Sequence, residues 1–211
     1  MPRLSQLKAY VIREVSKDKH RNFAHGAGHL LRVYRMGMLI GRKESADLDV
    51  LGPALLLHDI IRPTDERKEK GHARLSAKLA RKITPRFGYS REEARKIEKA
   101  ILSHSRSDME AGKKSLEAMI LYDADKLDAI GPMGVRRVKE FCKARGYGSR
   151  QTASWYLRRI ADILKNEPFY TSTGRSIAKQ KIQTSLRFCK KNLGDDYKKI
   201  LKEEGISESM L

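Results

Sequence analysis

Ala54-Leu55-Leu56-Leu57-His58-Asp59-Ile60-Ile61 runs an apolar segment into an imidazole and a carboxylate, then returns to apolar residues. So apolar a segment is expected to be buried, and a buried ionisable doublet needs compensation, because an unpaired charge in a low-dielectric interior is costly. Adjacent helical side chains diverge by about 100°, so His58 and Asp59 reach one point only if it lies beside the terminal turn. A divalent cation there would satisfy both. The plain alternative is a His58 ring bonded to a carbonyl, with Asp59 paired to Arg62.

Outward from this segment the pattern is helical. Leu4, Leu7, Val11 and Val15 repeat at steps of three and four, as do His29, Val33, Met36 and Ile40. Ser90-Arg91-Glu92-Glu93 has the form of a capping box, and Ala94, Ile97, Ile101 and His104 then share one face. Further helices are expected over 48–60, 73–83, 115–130, 133–145, 151–166 and 175–192, with Pro63, Pro85, Gly88, Gly146, Gly148 and Gly194 as breaks. No segment shows a period of two, so the expected fold is all-α: a single compact multi-helix bundle over 1–211.

Composition bounds the class. The 211 residues are 40% apolar and 34% charged, the balance of a globular chain rather than a disordered one. The longest nearly apolar run, Val50 to Ile61, is far short of the roughly 18–20 residues that span a bilayer. Met1-Pro2-Arg3-Leu4-Ser5 lacks the apolar stretch of a signal peptide, and Cys142 and Cys189 have no CxxC spacing, so the expectation is a reduced, cytoplasmic protein without a membrane partner. The net charge is +19, and residues 136–191 hold 15 Lys or Arg against only Glu140, Asp162 and Glu167. Such a field attracts nucleic acid, an acidic partner or a phosphorylated substrate. The alternative, on the reading of a charge run with no aromatic interleaving, is a solvated helix surface.

Five of six histidines, His25, His29, His58, His72 and His104, precede a segment in which three acids punctuate an apolar helix: Leu121-Tyr122-Asp123-Ala124-Asp125-Lys126-Leu127-Asp128. Carboxylates crowded there repel one another unless some face solvent or a cation neutralises them. Mixed nitrogen and oxygen donors suit Mn, Fe, Co, Ni or Zn, with Mg less favoured by imidazole.

The order His, His-Asp, Asp resembles the HD-domain metal-dependent phosphohydrolase superfamily, and in particular an uncharacterised branch of predicted hydrolases. His29-Leu30-Leu31-Arg32-Val33 is similar to the family's HxxRV segment, Leu55-Leu56-Leu57-His58-Asp59-Ile60 to its doublet, and Asp123-Ala124-Asp125-Lys126-Leu127-Asp128-Ala129-Ile130-Gly131 to its last-ligand helix. Thr173-Gly174-Arg175-Ser176-Ile177-Ala178 resembles a C-terminal element of that branch, so the resemblance covers about 20–190. It implies an HD core over about 20–145, with a basic helical extension over about 146–211 packed on it. It also implies metal ligation by His29, His58, Asp59 and Asp125. The apolar stripe of the last helix would instead point Asp123 inward, and Asp123 stands as the alternative ligand. Some branches hold a second metal with histidines placed as His72 and His104 are; contact with substrate, or simple packing, is the other reading for this pair. His25, Arg32, Arg62 and Arg137 are candidates for phosphate binding, guanidinium being suited to bidentate contact.

The implied chemistry is hydrolysis of a nucleotide or another small phosphorylated metabolite by metal-activated water attacking phosphorus, with one or two divalent ions and Asp59 as the catalytic carboxylate. Pyrophosphohydrolase, phosphatase and phosphodiesterase reactions all suit this donor set. No nucleophilic Ser or Cys, phosphate-cradling Gly-rich loop or dinucleotide fingerprint accompanies it. The competing reading is a nucleic-acid-binding protein that uses the basic 136–191 surface, with a structural or degenerate metal site.

Overall fold

The computed structural model describes residues 2–18, 21, 26–61, 71–104, 114–166 and 169–207. The described residues form ten α-helices and one short 3-10 turn (Thr84–Phe87), with no strand. They are α1 (Pro2–Lys17), α2 (Ala27–Lys43), α3 (Leu48–Leu57), α4 (His72–Ile83), α5 (Arg91–Leu102), α6 (Leu116–Leu127), α7 (Gly131–Lys143), α8 (Ser149–Asn166), α9 (Ser172–Leu193) and α10 (Asp196–Glu203). Contacts divide them into two compact units, Met1–Asp125 and Lys126–Leu211, so the division falls near the end of α6 rather than near residue 145. No described helix is long and apolar enough to cross a membrane.

In the first unit α3 is the hub, packing against α1, α2, α4 and α5. Its residues Val50–Leu57 are all buried, which explains a segment with no polar face. Asp47 starts it by accepting hydrogen bonds from the Asp49 and Val50 amides, at 3.0 and 3.3 Å, an arrangement worth about 1 kcal/mol. Of the faces read from the sequence, Leu7, Val11 and Val15 on α1 and His29, Val33 and Ile40 on α2 are buried, while Leu4 and Met36 are only partly so. Ser90 and Glu93 close the expected capping box of α5, and Ala94, Ile97, Ile101 and His104 are buried. The approach of α2 to α3 depends on Gly37, where an added Cβ would overlap the methyl groups of Leu55.

In the second unit α7, α8 and α9 pack on one another, and α10 lies against α8 and α9. Their buried faces carry Val138 and Cys142 from α7, Tyr156, Leu157 and Ile160 from α8, and Ile182, Leu186 and Cys189 from α9. Both thiols are free, and burial pushes Cys189 up to about 12.

Candidate metal centre

The first unit brings together ends of helices that are far apart in sequence. His29 is the third residue of α2 and is buried. His58 follows α3, where its backbone amide still donates to the Ala54 carbonyl at 3.0 Å. Its ring Nδ1 lies 3.0 Å from the Leu55 carbonyl oxygen. A carbonyl only accepts, so Nδ1 holds the ring proton and Nε2 presents a lone pair. That Nε2 is buried and has no hydrogen-bond partner.

Two carboxylates face it. The Asp59 side chain is 1% exposed, and its Oδ2 lies 3.9 Å from Nε2 of both His29 and His58. Asp125, on α6, places Oδ1 3.4 Å from His29 Nε2 and 4.0 Å from His58 Nε2. An ion with ligand bonds of about 2.1 Å has ligand–ligand edges of roughly 3.0–3.4 Å. The His29–Asp125 separation matches such an edge and the other three are about 0.5–1 Å wider; His29, His58 and Asp125 lie close enough together to hold a divalent ion, and Asp59 reaches it by a small inward movement.

A second grouping adjoins the first. His104 follows α5 with Nδ1 against the Ile101 carbonyl, and its ring centroid is 5.2 Å from that of His58 and 5.7 Å from that of His72. His72, the first residue of α4, points Nε2 at Asp59 Oδ1 from 3.5 Å. His58, Asp59 and His104 each offer a donor atom within reach of one ion. Asp123 is fully buried but belongs to neither grouping among the described residues. Arg32 is half-buried on α2, its guanidinium folded near Gly28. Arg137 donates to Asp128 at 2.8 Å within the second unit. His25 and Arg62 lie outside the described residues.

Burial is the largest influence on His58 and lowers its pKa against the pull of Asp59 and Asp125. His104 falls to about 4, again chiefly through burial, with His58 adding to the effect. Both rings are therefore neutral near pH 7. In the unfolded chain a histidine takes up its proton near pH 6.5, so between about 6.5 and 4 the unfolded state binds more protons and stability falls with falling pH. For His104 alone the loss reaches about 3 kcal/mol by pH 4. Chelator-treated protein is expected to melt at progressively lower temperature from pH 7 to pH 5; a flat profile would show that these rings titrate alike in both states.

The segment carrying the doublet is tied down from several sides. The Arg21 side chain, 6% exposed, donates to the backbone carbonyls of Asp59 at 2.8 Å and Ile60 at 2.6 Å. Ser76 Oγ, on α4, accepts from the Ile61 amide and donates to the Ile61 carbonyl, each at 3.2 Å. Sequence patterning gave no sign of either residue, because both act on the backbone of a remote segment. Supports of this kind are worth about ten- to a hundredfold in metal affinity. Arg21→Met is expected to weaken Mn binding about tenfold in a calorimetric titration, and Arg21→Lys to recover little, since one ammonium cannot fork to two carbonyls. Unchanged affinity in Arg21→Met would mean that the doublet is held without it.

Comparison with known proteins places this geometry in context. The HD domain family matches residues 26–130. An uncharacterised Bacillus subtilis protein, YpgQ, is 32% identical over 174 residues, 78% of this chain and 80% of its own length. The chain belongs to the HD-domain family. Among solved HD-type structures, one described as a predicted HD superfamily hydrolase from an uncultured Thermotogales bacterium is 29% identical, with a TM-score of 0.67 over 90% of this chain and 91% of that one. The crystal structure of YpgQ in complex with ADP superposes with a TM-score of 0.68 at 24% identity, covering 89% of this chain and 94% of YpgQ. All of the HD donor residues singled out above fall inside the matched span or its immediate edge.

Proposed function

We propose that this HD-domain chain is a divalent-metal-dependent phosphohydrolase acting on a nucleotide or a similar small phosphorylated metabolite. The observation that carries the reading is the buried Nε2 of His58, held bare of hydrogen bonds and facing Asp59 and Asp125 across 3.9 and 4.0 Å. His29, His58, Asp59 and Asp125 would hold the ion; Asp123, the alternative, stands outside both groupings among the described residues. A divalent ion in such a site polarises a phosphate oxygen and acidifies water.

The chain's own residues do the rest. Asp59 offers Oδ2 to the two imidazoles and Oδ1 towards His72, so one carboxylate can bind on one side and take a proton from water on the other. His72, 16% exposed where His29, His58 and Asp59 are at most 1% exposed, is the group placed to meet substrate or solvent. His104, with His58 and Asp59, would accommodate a second ion. The ADP complex of YpgQ supports a nucleotide as the substrate class, and Mn is the first ion to try for this mixed nitrogen and oxygen set.

The test is hydrolysis of nucleoside tri-, di- and monophosphates and a generic phosphodiester by chelated protein reloaded with Mn, Co, Ni, Zn or Mg. Metal-dependent turnover is expected, and release of pyrophosphate or orthophosphate identifies the scissile bond. A folded, metal-loaded chain that hydrolyses none of them would overturn the proposal.

A further inference from the structure

We infer that the second unit carries a binding face for single-stranded nucleic acid, formed by Lys139, Lys143 and Lys191 together with the exposed aromatic rings of Phe141, Tyr147 and Trp155. Residues 126–211 hold nineteen Lys or Arg against nine Asp or Glu, a net charge of +10. The excess is not evenly neutralised. On one side of the face, Arg150 is paired with Asp196 and Arg158 with Glu203 and Glu204. Lys139, Lys143 and Lys191 instead line a hollow of about 420 Å³ that no carboxylate among the described residues enters, and none of the three is in an ion pair among those residues.

Aromatic rings are set among these charges. Of the five exposed large hydrophobic residues described, three are Phe141, Tyr147 and Trp155, at 37, 42 and 40% exposure. Phe141 and Trp155 lie side by side, centroids 5.1 Å apart, with the Arg145 guanidinium 3.6 Å over the Phe141 ring. In the hollow, Lys139 Nζ sits 5.1 Å from the centroid of Phe188. Tyr147 borders both this hollow and the neighbouring one, which Trp155 lines together with Arg150, Arg158 and Asp196, so the lysine hollow and the Trp155 ring meet at Tyr147.

Exposed rings beside a group of unneutralised lysines are what an unpaired strand needs. Phosphates take the lysines and unstacked bases take the rings, each base–ring contact being worth about 1–3 kcal/mol. A duplex offers the same phosphates but no free base faces. A second copy of this chain would bring like charge against like charge, and an acidic peptide would leave the rings without partners.

Trp155 is the only tryptophan in the chain, so its fluorescence reports the face directly. Full-length protein titrated with oligothymidylate is expected to bind, quench Trp155 and lose affinity between 50 and 200 mM salt. The variant Lys139→Ala/Lys143→Ala/Lys191→Ala should reduce the slope of log affinity against log salt by about two, at roughly 0.7 per phosphate contact. The exposed control set Lys43→Ala/Lys82→Ala/Arg86→Ala, on α2, α4 and the 3-10 turn, should leave that slope nearly unchanged. Trp155→Ala should lower affinity about five- to a hundredfold. Circular dichroism checks that each variant is folded, and the two lysine sets test the idea independently of the ring substitution. The inference is overturned by no binding, by binding without quenching, by equal loss in the control set, by a duplex or polyglutamate matching the single strand in affinity and quenching, or by a fluorescence change that follows protein concentration alone.

Discussion

Asp59→Asn is expected to abolish metal-dependent hydrolysis, by about a hundred- to ten-thousandfold, while leaving the metal-free protein at least as stable as before. The substitution keeps the shape of the side chain and removes its charge. Asp59 is 1% exposed, and both of its oxygens face imidazole nitrogens, so its carboxylate has been taken out of water. Without an ion, that desolvation is compensated only in part, and a neutral amide carries less of the penalty. With an ion, the same charge becomes the strongest attraction in the site. The two effects separate in calorimetry: the melting temperature of chelated Asp59→Asn should equal or exceed that of the chelated parent, and the rise on adding Mn should largely vanish. A variant that binds Mn as the parent does would remove Asp59 from the ligand set, whatever its turnover.

Gly134→Ala is expected to cost about 3 kcal/mol or more, the range reached when a core substitution overpacks rigid surroundings. A Cβ at this position on α7 would overlap the carbonyl oxygen of Ala129 and the hydroxyl of Tyr156. Neither can yield alone, because they are bonded to each other: the Tyr156 hydroxyl donates to that carbonyl at 3.0 Å. The same hydroxyl lies 3.0 Å from Ser185 Oγ, which accepts from the Gly131 amide at 2.8 Å. One methyl group would thus disturb contacts joining the start of α7 to α8 and α9. Burial already holds the Tyr156 phenol well above its ordinary pKa, so a displaced hydroxyl would have no water to turn to. A fall in melting temperature of about 6–12 °C follows for a chain of this size, whereas Tyr156→Phe, which deletes the bond without the clash, should cost nearer 1 kcal/mol. Equal stability of parent and Gly134→Ala would show that α7 can shift freely.

Much of the helix order was legible because its signals are local. The capping box at Ser90 and the apolar repeats of α1 and α2 need only a few neighbouring residues, and they sit where expected. Helix α10 was not anticipated: it has eight residues, and only Ile200 is buried. The order His29, His58-Asp59, Asp125 was legible as a resemblance. The stripe argument put Asp123 inward, and Asp123 is buried, but so are Leu121, Tyr122 and Ala124, so burial along α6 does not by itself mark a ligand. Arg21 was hidden because it bonds to carbonyls nearly forty residues away. The reading of the basic run as lacking aromatic interleaving is corrected. Phe141, Tyr147 and Trp155 stand among Lys139, Lys143, Arg145, Arg150 and Arg158 in the chain itself, but which rings are exposed shows only once α7, α8 and α9 have packed.

The ties around the doublet bear on which ion the protein works with. Leu55 orients the His58 ring, Arg21 holds the carbonyls of Asp59 and Ile60, and Ser76 fixes Ile61, all through protein groups alone. A cradle built this way would keep its shape when emptied, and ions could then exchange without refolding the chain. It also has no means of rejecting one first-row ion for another beyond small differences in size and donor preference, and affinity then follows the general Mn to Cu series. The working metal of such a site would be left to cellular supply, and a change in that supply would alter the bound ion without altering a single residue.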